Sequence, residues 1–185
     1  HTIQGIVTAT FPGTIGGLGG FYVQEPESNY DNDPATSEGI FVFKYNFSVS
    51  VGDVVQVTGK VAEFGPAPST QTELFRVSNS NITILGTAAL PAPVAVTLPF
   101  SSLAAAESYE GMRVTLPQTL TVTNNINYGQ YGQLVFSYGR LPAPTDVAAP
   151  GAPAIAQSLA NGLNQILVDD GDLATFPSPT PFLAD

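Results

Sequence analysis

The sequence predicts a mainly all-β protein: a small, closed, five-stranded β-barrel followed by a second, incomplete β unit with one or two short helices. Three observations carry this prediction. Apolar and β-branched residues alternate over short runs such as IQGIVTATF (residues 3–11), the two-residue period of half-buried strands. Gly (18) and Pro (16) interrupt the 185 residues too often for long helices to dominate. Glycines also fall inside the first and fourth predicted strands, where they let a strand bend as a small barrel requires.

The elements follow in order. A Gly-rich turn, PGTIGGLGG, separates the first strand from GFYVQ (20–24), which ends at Glu25-Pro26. Residues 25–38, EPESNYDNDPATSE, show no periodicity and read as an acidic loop. GIFVFKY (39–45) is the third strand, and a Gly52-Asp53 reversal leads into the long strand DVVQVTGKVAEF (53–64), with Gly59 inside it. After the GPAPST loop, TELFRV (72–77) and NITILG (81–86) supply the closing strand or strands. ALPAPVAVTLP is a Pro-punctuated linker, so the expected division is a barrel over 1–88, a linker over 89–100 and a second unit over 101–185.

In that second unit, SSLAAAESYEG (101–111) reads as a short helix, with Ser101 or Ser102 as its N-cap and Gly111 as its stop. MRVTLPQTLTVTNN (112–125) is β-like, with Pro117 marking an edge or bulge, and NYGQYGQLVFSYG (127–139) turns into another strand. RLPAPTDVAAPGAP is a loop, and residues 154–172 begin with helical spacing and end as a strand at Asp170-Gly171. The Pro-rich tail, 173–185, is expected to be extended and polyproline-like. A weak internal repeat relates the two halves, but the second lacks a counterpart to the long fourth strand.

Composition narrows function. Fifteen Asp and Glu face five Lys and Arg, a net charge of −10, and 11% of residues are charged. With 43% hydrophobic residues the chain can build a core, unlike a disordered polyanion. The absence of Cys excludes disulfides, thiol catalysis and zinc-thiolate sites. No apolar run reaches the ~18 residues of a membrane-spanning helix. The start at His1-Thr2 and the Thr-, Asn-, Ser- and Gly-rich composition lead to the expectation of a mature, secreted, extracellular protein of bacterial type.

The stretch GGLGGFYVQEP, DNDPATSEGIFVF and VSVGDVVQVTGKVAEF resembles the OB-fold region that precedes the catalytic domain in secreted bacterial nucleases of the endonuclease/exonuclease/phosphatase type. YEGMRVTLPQTLTVTNNINYGQYGQLVFSYGR, LVDDGD and PSPTPFL resemble the segment that follows it there. The resemblance implies an OB-like barrel followed by a related β unit. It transfers no catalytic residue, because that family's catalytic domain lies outside the region of likeness.

Candidate sites follow from residue chemistry. The single His is His1, and Arg76, Arg113 and Arg140 are scattered, so no internal base or phosphoryl-transfer cluster is legible and a non-catalytic protein is expected. Glu25, Glu27, Asp31, Asp33 and Glu38 crowd one loop with no basic residue among them; a Ca²⁺ ion would relieve their repulsion. Asp169, Asp170 and Asp172 form a second cluster across a Gly turn that could hold Ca²⁺ together with backbone carbonyls; the alternative is an ordinary Asp-Gly turn. Tyr128, Tyr131 and Tyr138, with Phe136, form an aromatic run that could stack on bases or sugars, or simply pack along a strand.

Three functions compete. Nucleic-acid binding fits the implied OB fold, yet phosphate affinity depends on Lys and Arg, which are few here. Carbohydrate binding would lack its usual Trp platform. An unfinished barrel, by contrast, leaves strand edges that recruit another chain. The expectation is therefore a Ca²⁺-stabilised protein that self-associates by strand exchange into an oligomer or filament. An accessory nucleic-acid-binding region of an extracellular nuclease is the alternative.

Overall fold

Seven strands form one sheet in the first of two units into which the chain divides. The computed structural model describes residues 1–13, 18–66, 70–172 and 174–182. Unit one comprises His1–Val94 and Ala104–Thr115, and unit two Ala95–Leu103 and Leu116–Asp185. Residues 104–115, which the sequence division placed with the second half, thus belong to unit one. The Gly-rich turn and the GPAPST loop lie partly outside the described residues, at 14–17 and 67–69.

In unit one, β1 (Thr2–Phe11), β2 (Gly20–Gln24) and β3 (Gly39–Phe43) pair antiparallel in sequence, with a bulge in β1 between Val7 and Ala9. The long strand read at 53–64 is two strands, β4 (Asp53–Thr58) and β5 (Lys60–Phe64), parted by Gly59 alone. β6 (Gln71–Phe75) and β7 (Ile82–Thr87) complete the sheet, whose order is β5-β6-β3-β2-β1-β4-β7. β3 and β6 are parallel; the other pairings in this sheet are antiparallel.

Alternation sets the core. Val7, Phe21, Val23, Val42, Val55, Val57 and Leu74 project to one side of their strands and pack into a single buried cluster. Burying each such side chain contributes roughly 1.5–3 kcal/mol. Val49 and Val77, from the flanking turns, complete it.

Gly59 is where the long strand changes neighbours. Its N–H donates to the His1 carbonyl at 2.9 Å, continuing the β1–β4 ladder, while the next residue, Lys60, pairs with Phe75 of β6. A Cβ at Gly59 would sit 2.8 Å from the Phe75 carbonyl oxygen and 2.9 Å from both Leu74 and Val77 side chains. Gly59→Ala is therefore expected to cost roughly 1–3 kcal/mol in denaturant unfolding, the usual range for overpacking. An unchanged midpoint would contradict this reading of the bend.

Two short strands, β8 (Val94–Ala95) and β9 (Val114–Thr115), pair with each other. The predicted helix at 101–111 is shorter, α1 (Leu103–Glu107), and Gly111 follows it in the left-handed region at φ +69°. Gly39 and Gly111 meet backbone to backbone: a Cβ on Gly39 would lie 2.4 Å from the Gly111 carbonyl. Arg113 N–H donates to Gln24 Oε1 (2.8 Å), and Thr72 N–H to Glu110 Oε1 (2.8 Å). These contacts hold residues 104–115 on unit one.

Unit two holds an antiparallel three-stranded sheet, β10 (Thr121–Asn124), β11 (Leu134–Ser137) and β12 (Gln165–Val168), in that order. Its helices are α2 (Tyr128–Tyr131), α3 (Pro144–Val147) and α4 (Ala152–Leu163), so the described residues contain more helix than the one or two expected. α4 runs directly into β12, the helix-to-strand switch read at 154–172. The tail is not a regular extended segment: its described part is bent, with Phe176 and Phe182 at positive φ.

Candidate functional site

The residues singled out by sequence occupy three places. The acidic loop opens with a 3₁₀ turn, Glu27–Asn29, and is braced by its own carboxylates. Asp31 Oδ1 accepts from Asp33 N–H at 2.7 Å, Asp33 Oδ1 from Ala35 N–H at 2.9 Å, and Thr36 hydroxyl donates to Asp31. Glu38 Oε1 accepts from Asp31 N–H. Glu27 points away and accepts from Ala92 N–H, which holds its carboxyl below the usual range. Glu25 is raised, first by partial burial and then by the nearby charges of Glu38 and Asp31.

Glu25 and Glu38 line a cavity of about 440 Å³ that also receives Glu107 and Glu110. Sequence reasoning missed these last two, because they lie on the segment assigned to the other half. Among the described residues, no three carboxylate or imidazole side chains converge closely enough to hold a metal ion as placed.

Asp169, Asp170 and Asp172 form a ladder of turns. Their Oδ1 atoms accept from the N–H groups of Gly171, Asp172 and Ala174 at 2.7, 3.0 and 2.8 Å. Asp169 Oδ2 also accepts from Gln133 Nε2 at 2.6 Å. The ordinary Asp-Gly turn chemistry accounts for these bonds.

The Tyr run is not one strand. Tyr128 and Tyr131 lie on α2, which Gly132 ends in a left-handed conformation (φ +70°), and Tyr138 follows β11. Tyr128 hydroxyl donates to Pro181 O at 2.7 Å, whereas Tyr131 and Tyr138 are 39% and 54% exposed. A more continuous aromatic row lies on β1–β3, on the side away from the main core cluster, with Phe41 itself buried. Tyr22 contacts Phe11 (6.0 Å, edge to face) and Phe41 (5.0 Å), and Phe43 contacts Tyr45 (5.1 Å). Its signal was present in sequence: these residues alternate with the core residues Phe21, Val23 and Val42.

Burial raises Glu73, which is paired with Phe41 across the parallel ladder. Glu25 and Glu73 are both easier to protonate folded than unfolded. Their contribution to stability is present below the ordinary carboxylate pKa and is lost as pH rises through their raised values. Glu27 acts oppositely, but its contribution is lost only as pH falls through its lowered value. The melting temperature is thus expected to rise as pH falls from neutrality through the raised values of Glu25 and Glu73. The Glu25→Gln/Glu73→Gln double variant should flatten that rise; an unaltered slope would refute the assignment.

In unit two, the inner side of α4 mixes polar and apolar residues. Its less exposed residues are Ala154, Gln157, Asn161 and Leu163, while Ile155 and Leu159, one turn apart, are 61% and 68% exposed. The polar pair is hydrogen-bonded: Gln157 Nε2 donates to Asn161 Oδ1, and Asn161 Nδ2 to Pro142 O, both at 2.9 Å. Among the described residues of this unit the buried apolar ones are Val96, Leu98, Leu134 and Ala154, whereas Val122 of β10 and Leu167 of β12 are 49% and 53% exposed.

Against family models, curated proteins and solved structures, the chain finds no match.

Proposed function

We propose that this protein is a secreted, non-catalytic interaction protein, built on an OB-like barrel, that associates with further copies of itself through its second unit. The barrel reading is supported by strand order. β4 and β5 are consecutive across Gly59, so the sequence of neighbours β1-β2-β3-β6-β5/β4-β1 returns to its start. That order, with a parallel β3–β6 pair, is what a five-stranded OB-like barrel requires. β7 then extends β4 outside the ring. The extracellular setting rests on composition alone.

The observation that carries the function is the surface of unit two. Monomeric proteins seldom turn apolar helix residues outward, and a grouped exposed apolar surface marks an interaction site. Here Ile155 and Leu159 are exposed on α4, and among the described residues the outer strands β10 and β12 each have a strand neighbour on one side only. Residues 147–168 contain no charge. Two copies carrying −10 each repel least where such a neutral segment meets its equivalent. Open strand edges supply backbone pairing, and the apolar side chains supply the burial.

Calcium enters this reading as a stabiliser of the acidic loop. Its support is the repulsion from Glu38 and Asp31 that helps raise Glu25. Sedimentation velocity over a wide concentration range, in Ca²⁺ and in EDTA, tests both parts. The expected result is species larger than the 19.2 kDa chain, with a lower melting temperature in EDTA. A monomer at every concentration overturns the association, and identical melting curves overturn the calcium role.

The half-exposed Phe11 and Tyr22 on β1 and β2 favour a second reading, an accessory nucleic-acid-binding region, because partly exposed rings stack on bases without sequence preference. Binding of single-stranded DNA that is quenched by salt and lost in Tyr22→Ala would support it over self-association.

A further inference from the structure

β7 lies outside the ring of unit one, and its residues 83–87 are all exposed, Ile84 and Leu85 at 49% and 51%. Among the described residues it has a strand neighbour, β4, on one edge only. Which backbone groups stay open follows from the alternation of an antiparallel ladder. His1 and Gly59 exchange both bonds, at 2.8 and 2.9 Å, so Val57 and Val55 also turn their backbone groups to β1, and Gln56 turns its own to β7. Thr83 stands opposite Gln56 and is spent on it. Ile84, the next residue, presents its N–H and C=O outward. The bulge of β7 falls at Leu85, past that residue, and leaves 82–84 in regular register.

An open edge is ordinarily guarded by a charge or a Pro that blocks pairing with another chain. ITILGT has neither, and it lies in the longest uncharged stretch of the sequence, residues 77–106. In a chain of net charge −10, a second copy approaches at least cost along such a stretch, and a charged partner finds nothing there to pair with. An antiparallel pair of identical strands is also self-complementary about a two-fold axis.

We propose that β7 is a second self-association edge, pairing antiparallel with β7 of another copy about a two-fold axis at Ile84. Ile84 of each copy exchanges both backbone bonds with Ile84 of the other, and the half-exposed Ile84 and Leu85 side chains of the two copies cover one another. The pairing stands on unit one alone. Its consequence for size rests on the proposed association of unit two: with one two-fold contact on each unit, assembly passes the dimer and grows.

The chain has no Cys, so one introduced thiol reports its own neighbourhood. Ile84→Cys is expected to form a disulfide-linked dimer on mild oxidation, since paired residues of an antiparallel ladder lie about 5.5 Å apart at Cα, within reach of a disulfide. Val61→Cys, 42% exposed on β5, is the collision control; pairing raises the effective concentration at position 84, so the control should cross-link at least about tenfold more slowly. Both are also made in the Ile155→Asp/Leu159→Asp background, which removes the unit-two contact. There Ile84→Cys should stop at a covalent dimer, whereas in the unaltered chain sedimentation velocity should show larger species. Dimers alone in both backgrounds support the β7 edge and overturn the unit-two contact. As a second variant, Ile84→Lys sets like charges opposite each other and should weaken dimerisation in that background by about tenfold or more. Ile84 is half-exposed, so both variants should fold, with unchanged circular dichroism as the check. Cross-linking of Ile84→Cys no faster than of Val61→Cys, or dimerisation undiminished by Ile84→Lys, overturns the proposal.

Discussion

Leu74→Ala should destabilise unit one by about 2–5 kcal/mol in denaturant unfolding, the range for a large-to-small change in a packed core. Leu74 is fully buried and is paired on both flanks, with Val42 of the parallel neighbour β3 and with Val61 of β5. It therefore sits where the ring would close, and neighbours from distant parts of the sequence cannot collapse into its space without breaking their ladders. Val61 on the adjoining strand is 42% exposed. Val61→Ala should change stability by roughly 0.5 kcal/mol or less, as surface substitutions do. Equal effects at the two positions would mean that the β3–β6–β5 junction is not a packed core.

The second large effect is on assembly. Ile155→Asp/Leu159→Asp places two like charges one helical turn apart on an exposed stripe. Both side chains are mostly exposed, so the fold of a single copy should survive, with an unchanged circular dichroism spectrum. A face that meets its own equivalent would then bring four carboxylates together, and association should weaken by about a hundredfold or more, since like-charge juxtaposition across an interface costs several kcal/mol. Sedimentation velocity reads the outcome directly. Association that survives the double variant undiminished would remove α4 from the interface.

The strands of unit one were legible because their cause is local. Alternation in 2–11, 20–24 and 39–43, bounded by Gly and Pro, defines each strand without reference to its partner. Partner choice is not local. The parallel β3–β6 pair joins residues some thirty positions apart, and no turn residue announces it. The place of residues 104–115 depends on Gly39 and Gly111, neither of which carries a Cβ, meeting across a long gap in sequence. A glycine read as a helix stop thus also serves as a contact surface. α2 escaped notice for a related reason. NYGQYG has no helical periodicity, and its Tyr128 is anchored by the remote Pro181 carbonyl.

The site was less legible than the fold. Charge crowding at Glu25, Asp31 and Glu38 was plain, but the arrival of Glu107 and Glu110 beside Glu25 and Glu38 was not. The mixed inner side of α4 was also hidden. Sequence gives the spacing of Ile155 and Leu159 but not which side faces in, and the usual rule assigns apolar residues inward. Gln157 and Asn161 share that side with Ala154 and Leu163 because Pro142 and its neighbours offer acceptors and a cavity.

The claim on which this account rests is that unit two completes its burial on another copy of the chain. Hydrogen exchange of the amides in β10 and β12, followed as protein concentration is raised from dilute to concentrated, tests it most directly. Outer-edge amides that exchange fast when dilute and become protected in step with oligomer formation are the predicted result. Exchange that stays the same at every concentration would contradict it.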